Sequence, residues 1–225
     1  MRAGYAKLRP VQAKVLACNL QKMPRSNLKL KTGVALTRTE EIYRTAAELM
    51  VEKGYGGTSI SDIAQAVGMT KAGLYHHFSG KQELLFQILN SAIDQGDRVV
   101  SEPVRSIEDP EQRLQQLIRL QIQGEISHGL AFIVLFSELN HLEPKQQRQI
   151  RTRIRKFHAL IKQALRELAE QDRLRDMDID IATMHIMNAM TGVARWKHQN
   201  FASDPEHLIQ ETIAYTMAAL LKRDG

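Results

Sequence analysis

An all-α fold is predicted for this chain of 225 residues, and three observations predict it. From residue 37 onward apolar side chains return at helical spacing, as in Ile42, Ala46, Leu49 and Met50. The starts of those stretches carry helix-capping residues. No stretch alternates apolar with polar residues as a half-buried strand does.

Taken in order, Thr37-x-x-Glu40 forms a capping box, hydroxyl and carboxylate each satisfying an amide at a helix start, and Gly54 is a natural stop. Ser59-x-x-Asp62 opens a second helix with Ile60, Ile63, Ala64 and Val67 as its buried face, broken by Gly68. Thr70 caps a short third helix running to Phe78, and Ser79-x-x-Gln82 reads as a further capping box before a longer helix with Leu84, Leu85, Ile88, Leu89 and Ala92 inward. A boundary follows at residues 103–109. Asp109-Pro110 sets an N-cap ahead of a proline at the first helical position, where its missing N–H costs nothing. Leu114, Leu117, Ile118 and Ile122 mark that helix; Leu130–Leu139, almost continuously apolar, predicts a separate buried one. Pro144 opens a long helix with Ile150, Ile161, Leu165 and Leu168 on one face, Ile179–Trp196 is apolar nearly all round, and Asp204-Pro205 starts a last helix with Ile209, Ile213, Met217 and Leu220 inward or paired. The expected total is about nine helices. The domains are a basic extension over 1–36, expected to be disordered, a head over 37–96 and a larger C-terminal domain over 105–225.

Composition narrows the classes. A hydrophobic content of 43% supports a core, and the single cysteine, Cys18, excludes an intramolecular disulfide framework and fits a reducing, cytoplasmic setting. No apolar run approaches the ~18 residues of a membrane span. Val15–Cys18 is a poor lipoprotein cleavage site, with Leu16 where a small residue is wanted. The net charge of +6 lies in the tail: residues 1–37 hold eight basic and no acidic side chains, leaving 23 positive against 25 negative in the rest. That tail is either a disordered extension or an arm that adds phosphate contacts. There is no nucleophile elbow, glycine-rich phosphate loop or metal-ligand spacing, so no enzyme, cofactor or metal is expected.

Two short helices joined by Gly68-Met69-Thr70 have the spacing of a helix-turn-helix over about 59–78, the second helix entering the major groove. Residues 58–85, TSISDIAQAVGMTKAGLYHHFSGKQELL, resemble the DNA-binding signature of the TetR (TetR/AcrR-like) family, and Ala46–Tyr55 resembles that family's first helix with its glycine-aromatic ending. His76 and Gly80 depart from it. The resemblance implies a transcriptional regulator binding double-stranded DNA. Thr70, Lys71, Ala72 and Gly73 would face base edges and nearby phosphates, with Tyr75, His76, His77, Lys81 and Ser59 donating to the phosphate backbone. Adjacent histidines on a helix point about 100° apart, which argues against His76 and His77 sharing a metal. Residues 38–81 carry five basic and five acidic side chains, so specific hydrogen bonds must do more than bulk charge.

The resemblance also implies a homodimer through residues 178–198 and 205–222, where a charge at Ile213 would break the pair, and a repressor released by a small, largely apolar effector. Phe132, Phe136, Met184, His185, Met187 and Trp196 are candidates to line its pocket, although core packing is the better account of any one of them taken alone. The tract Gly192–Lys197 resembles regulators that answer acyl-CoA thioesters. The fourth helix is the expected lever between pocket and head.

Overall fold

A computed structural model describes residues 37–197 and 204–222, with backbone alone at 128–133, 135, 136 and 193–197. The basic segment 1–36 lies outside the described residues. The described chain forms α1 (Arg38–Gly57), α2 (Ile60–Ala66), α3 (Lys71–His77), α4 (Lys81–Gly96), α5 (Pro110–Glu138), α6 (Pro144–Glu170), α7 (Ile179–Lys197) and α8 (Pro205–Leu220). A π-helical segment, Asp97–Ser101, and one turn, Glu102–Val104, extend α4. Among the described residues eight helices stand where about nine were expected, because Pro110–Glu138 is one helix of 29 residues. Gly124 and Gly129 weaken that stretch, but glycine costs a helix interior only about 1 kcal/mol and, unlike proline, blocks no hydrogen bond. None of the described helices is long and apolar enough to cross a membrane.

The chain clusters into two compact units. Among the described residues, the first contains 37–88 together with Ile133–Glu143. Its helices are defined by local bonds. At α1 the Thr37 hydroxyl accepts from Glu40 N–H at 3.3 Å, while the Glu40 carboxylate accepts from Thr37 N–H at 2.8 Å. Gly54, at φ +73°, leaves helical geometry where the sequence placed its stop. The buried Thr58 hydroxyl then closes the end, donating to the Gly54 carbonyl at 2.9 Å. Ser59 and Asp62 form the second capping box, and those bonds from Ser59 hold the Asp62 carboxyl below its ordinary pKa. After α2, Met69 N–H reaches Ala64 O at 2.8 Å and Gly68 N–H reaches Gln65 O at 3.2 Å. This double closure requires the left-handed residue that Gly68 supplies at φ +67°. At α4 the expected Ser79–Gln82 box gives way to another pairing: Leu84 N–H bonds to Gly80 O, and the Gln82 amide donates to His141 O at 2.8 Å. Ile42, Ala46, Met50, Ile63, Leu74, Leu84 and Leu85 are almost wholly excluded from solvent and make this unit's core.

The second unit contains Leu89–Phe132 and Pro144 onward. Its core joins Leu114, Leu117, Ile118 and Ile122 of α5 to Ile161, Leu165 and Leu168 of α6, Ile186 and Met190 of α7, and Ile209, Ile213, Met217 and Leu220 of α8. Arginines stitch these helices together. Arg113 grips Glu167 through two bonds of 2.8 and 3.1 Å, Arg119 reaches Glu206 at 2.5 Å, and Arg173 pairs with both Asp109 and Glu111. Hydrogen bonds from Arg173 and Arg113 hold Asp109 and Glu167 below the ordinary carboxylate range. Ile213 is a correction: at 8% exposure it faces its own unit's core, so it does not present a surface to a second copy.

Candidate nucleic-acid interface

The third helix is short because its sequence caps it at once. Thr70 Oγ1 accepts from Gly73 N–H at 3.0 Å, which fixes the start. A side chain on Gly73 would place its Cβ 3.2 Å from that hydroxyl, so the small residue serves the cap as well as any close approach to a ligand. Leu74 is fully buried and Phe78 nearly so, the latter stacked obliquely on Tyr43 at 5.9 Å between centroids. These two residues pin one side of α3 to the core. Lys71, Ala72, Tyr75, His76 and His77 stand exposed on the remaining surface, Tyr75 at 47%. The turn ahead of α3 is fixed from α1, since Arg38 donates to Val67 O at 2.6 Å and pairs with Glu41.

Beside this face lies a cleft of about 370 Å³ lined by residues 56–61 with Lys71, Tyr75 and Lys81. Four of the nominated side chains, Ser59, Lys71, Tyr75 and Lys81, thus come together from three helix starts and one helix face. Lys81 is not free to swing. Its Nζ donates to Tyr55 O and Thr58 O, each at 2.8 Å, and sits 4.2 Å from the centroid of the Tyr55 ring. An ammonium has three protons, so one remains to offer to the cleft. The Lys71 ammonium lies 6.0 Å from the Tyr75 ring. A cleft with two ammonium groups and a phenol suits an oxyanion with several acceptor oxygens, such as a backbone phosphate, whereas the Ser59 hydroxyl at its edge already donates to the Asp62 carboxylate at 2.7 Å. Thr70, Ala72, Gly73, His76 and His77 belong to the helix rather than to the cleft. Reading by residue type missed Gly56, Gly57, Thr58 and Ser61. The glycine-rich stretch directly before a capped helix was the signal available for them.

The candidates for an effector pocket separate. Met187 packs partly buried against the second core, and Met190 beside it is fully buried. Met184 is 51% exposed and His185 is exposed too, on the opposite side of α7 with Ile181 at 53%. The side chains of Phe132, Phe136 and Trp196 lie outside the described residues.

Comparison with known proteins places both halves. Residues 42–88 match the family profile described as bacterial regulatory proteins, tetR family, and residues 108–220 match the tetracyclin repressor-like C-terminal domain. The HTH-type transcriptional repressor KstR2 of Mycobacterium tuberculosis is 25% identical over 193 residues, spanning 84% of this chain and 96% of that protein. The fold of the ketosteroid transcriptional regulator KstR2 of the same organism aligns with a TM-score of 0.77 at 23% identity, over 87% of this chain and all of the other. The structure of AibR in complex with isovaleryl coenzyme A and operator DNA aligns with a TM-score of 0.73 at 28% identity, over 80% and 97% of the two chains.

Proposed function

Since this chain belongs to the TetR family of bacterial regulatory proteins, we propose that it is a transcriptional repressor that holds a palindromic operator as a homodimer and leaves it on binding an acyl-CoA thioester. The observation that carries the DNA half is the cleft and exposed face just described: Ser59, Lys71, Tyr75 and Lys81 gather around one cleft, with His76 and His77 beside it. In this reading Thr70, Lys71, Ala72 and Gly73 enter the major groove and Lys71 reads a base or a phosphate. Tyr75, His76, His77, Ser59 and Lys81 hold the backbone and set the register. Because the head is charge-balanced, these few directed bonds supply both affinity and sequence preference.

Dimerisation is supported by the surface of the last two helices. Ile181 and Met184 on α7 and Tyr215 on α8, the last at 79% exposure, leave large apolar side chains in water, and a second copy covers them in a four-helix arrangement. Two heads one groove turn apart then match a two-fold operator. For the effector, the supporting facts are the C-terminal domain match and the isovaleryl coenzyme A carried by AibR. Met187, with Phe132, Phe136 and Trp196, is assigned to the apolar part of the pocket, whereas Met184 and His185 go to the dimer face. The ligand must favour the arrangement that does not fit DNA, and a coupling of ~1–3 kcal/mol makes a working switch.

The test is a gel-shift on the DNA upstream of the protein's own gene. A folded Tyr75→Ala, His77→Ala double variant should bind roughly ten- to a hundred-fold more weakly, the loss expected from charge-assisted phosphate bonds. Unchanged affinity in that variant would sink the assignment. Adding isovaleryl coenzyme A to the unmodified complex tests release, and a complex indifferent to acyl-CoA thioesters of several chain lengths removes the effector half.

A further inference from the structure

The segment Ile133–Glu143, the corner between α5 and α6, belongs to the same compact unit as the helix-turn-helix although it is distant in sequence. Two contacts hold it there, and a third orients His141 from within the corner. The His141 imidazole stacks on Tyr55, with centroids 4.7 Å apart and planes inclined by 24°. The Gln82 amide donates to His141 O, and Glu138 lies 3.3 Å from the His141 Nε2. The Tyr55 ring is also the surface on which the Lys81 ammonium rests. A single ring therefore joins the corner to a cation that lines the cleft.

We propose that His141 is a positioning residue for DNA binding: by stacking on Tyr55 it fixes the ring that holds Lys81, and through it the corner sets how firmly the head grips a phosphate. This rests on the reading of the cleft as a phosphate seat. The His141 side chain is half exposed, so its burial contributes little, and what it constrains is the ring. Burial first, and Glu138 second, raise the Tyr55 phenol above its ordinary value; the electron-rich face of the ring attracts the ammonium. Two of the three Lys81 protons are engaged by Tyr55 O and Thr58 O. The direction of the third depends on the ring's place, because the ring face is the remaining wall around the ammonium. Since residues 110–132 of α5 belong to the second unit and residues 133–138 to the first, this helix carries the corner by direct chain continuity.

The experiment is a double-mutant cycle between His141→Ala and Lys81→Met, read as affinity and salt dependence on an arbitrary duplex of about 30 base pairs, for which phosphate contacts supply the binding. Each phosphate contact contributes roughly 0.9 to the slope of log K against log salt, so Lys81→Met should lower it by about that amount per head. His141→Ala should weaken binding about three- to ten-fold, the scale of a lost aromatic pair, and lower the slope toward that of Lys81→Met. The double variant should then be no worse than Lys81→Met alone. His141→Phe keeps the stack and should restore both readouts, while His141→Gln should not; this pair decides the matter even if the alanine variant melts early. A His141→Ala slope equal to that of the unmodified chain, or losses that simply add in the double variant, overturns the proposal. No binding by the unmodified chain at low salt removes the phosphate seat itself, and this inference with it.

Discussion

In the first unit the decisive hydrogen bonds span three residues: Thr37 with Glu40, Ser59 with Asp62, Thr70 with Gly73. In the second they span 54 to 87: Arg113 with Glu167, Arg173 with Asp109, Arg119 with Glu206. Both units are helical and both have apolar cores, yet one is organised by caps that a helix makes with itself and the other by arginines reaching across to other helices. Helices of seven residues, such as α2 and α3, are too short to persist without caps. Helices of 27 and 29 residues, such as α6 and α5, persist more easily, and what they need is an instruction about which neighbour to meet. The DNA-reading part is therefore built to hold its backbone shape through local chemistry, while the larger part is built to hold pairings.

The largest effect should come from attacking the second unit's core rather than its surface. Ile213→Glu buries a carboxylate with no cation to meet it and should destabilise by at least about 3–5 kcal/mol, enough to unfold the unit. Tyr215→Glu, on the exposed side of the same helix, should leave the unit folded and dissociate the proposed dimer instead. Sedimentation together with circular dichroism distinguishes the two, and a folded Ile213→Glu protein would contradict the core placement.

A smaller and strictly local loss is expected in the head. Gly68→Val forces a β-branched side chain to φ +67° although there is open space around it, so the cost is conformational, about 1–2 kcal/mol. Hydrogen exchange should speed up around α2 and α3 and stay unchanged in α6 and α8. Loosening that spread evenly through the second unit would show that the two are not organised as independently as their bonds suggest.

Acid should produce the smallest difference and reverse its address. Asp109 and Glu167 have folded pKa values below their unfolded ones, so their stabilisation is present above the ordinary carboxylate pKa near 4 and fades as pH falls through the folded values. Both are partly exposed, and screening reduces what each supplies. Thermal melts between about pH 5 and 3 should show the second unit weakening, and less so after Arg113→Met, which removes the Glu167 partner in advance.

The contrast also explains what could be read from the chain in advance. Thr37, Ser59, Thr70, Gly54 and Gly68 act on residues next to them, and their structural roles were legible. The surface placement of Lys71, Tyr75, His76 and His77 followed from the burial of Leu74 and Phe78 on the same short helix. By contrast, no local signal shows that Lys81 spends two protons on Tyr55 and Thr58, or that Gln82 bonds to His141 in place of Ser79. Periodicity marked α7 as apolar nearly all round and gave α8 an apolar face, but it does not say which side meets which neighbour. That is why Ile213 was expected in the dimer interface and lies in its own unit's core, and why Met184 and His185 were expected around a pocket and lie at the surface. The single α5 was hidden by its glycines, which look like a break and are only a weak spot.

The company that Ile133–Glu143 keeps has a practical meaning for anyone recombining these regulators. The DNA-reading unit is not a contiguous stretch that can be cut at one place and transplanted. A chimeric sensor made by joining residues up to about 96 to a foreign effector domain would leave Tyr55 without His141 and Gln82 without its acceptor carbonyl. Such a chimera would carry the correct recognition helix on a head missing one of its walls, and its operator affinity would vary with whatever corner the new domain happened to bring. Transplanting Ile133–Glu143 together with the N-terminal segment keeps the unit whole, so the natural seam for exchange is two cuts rather than one.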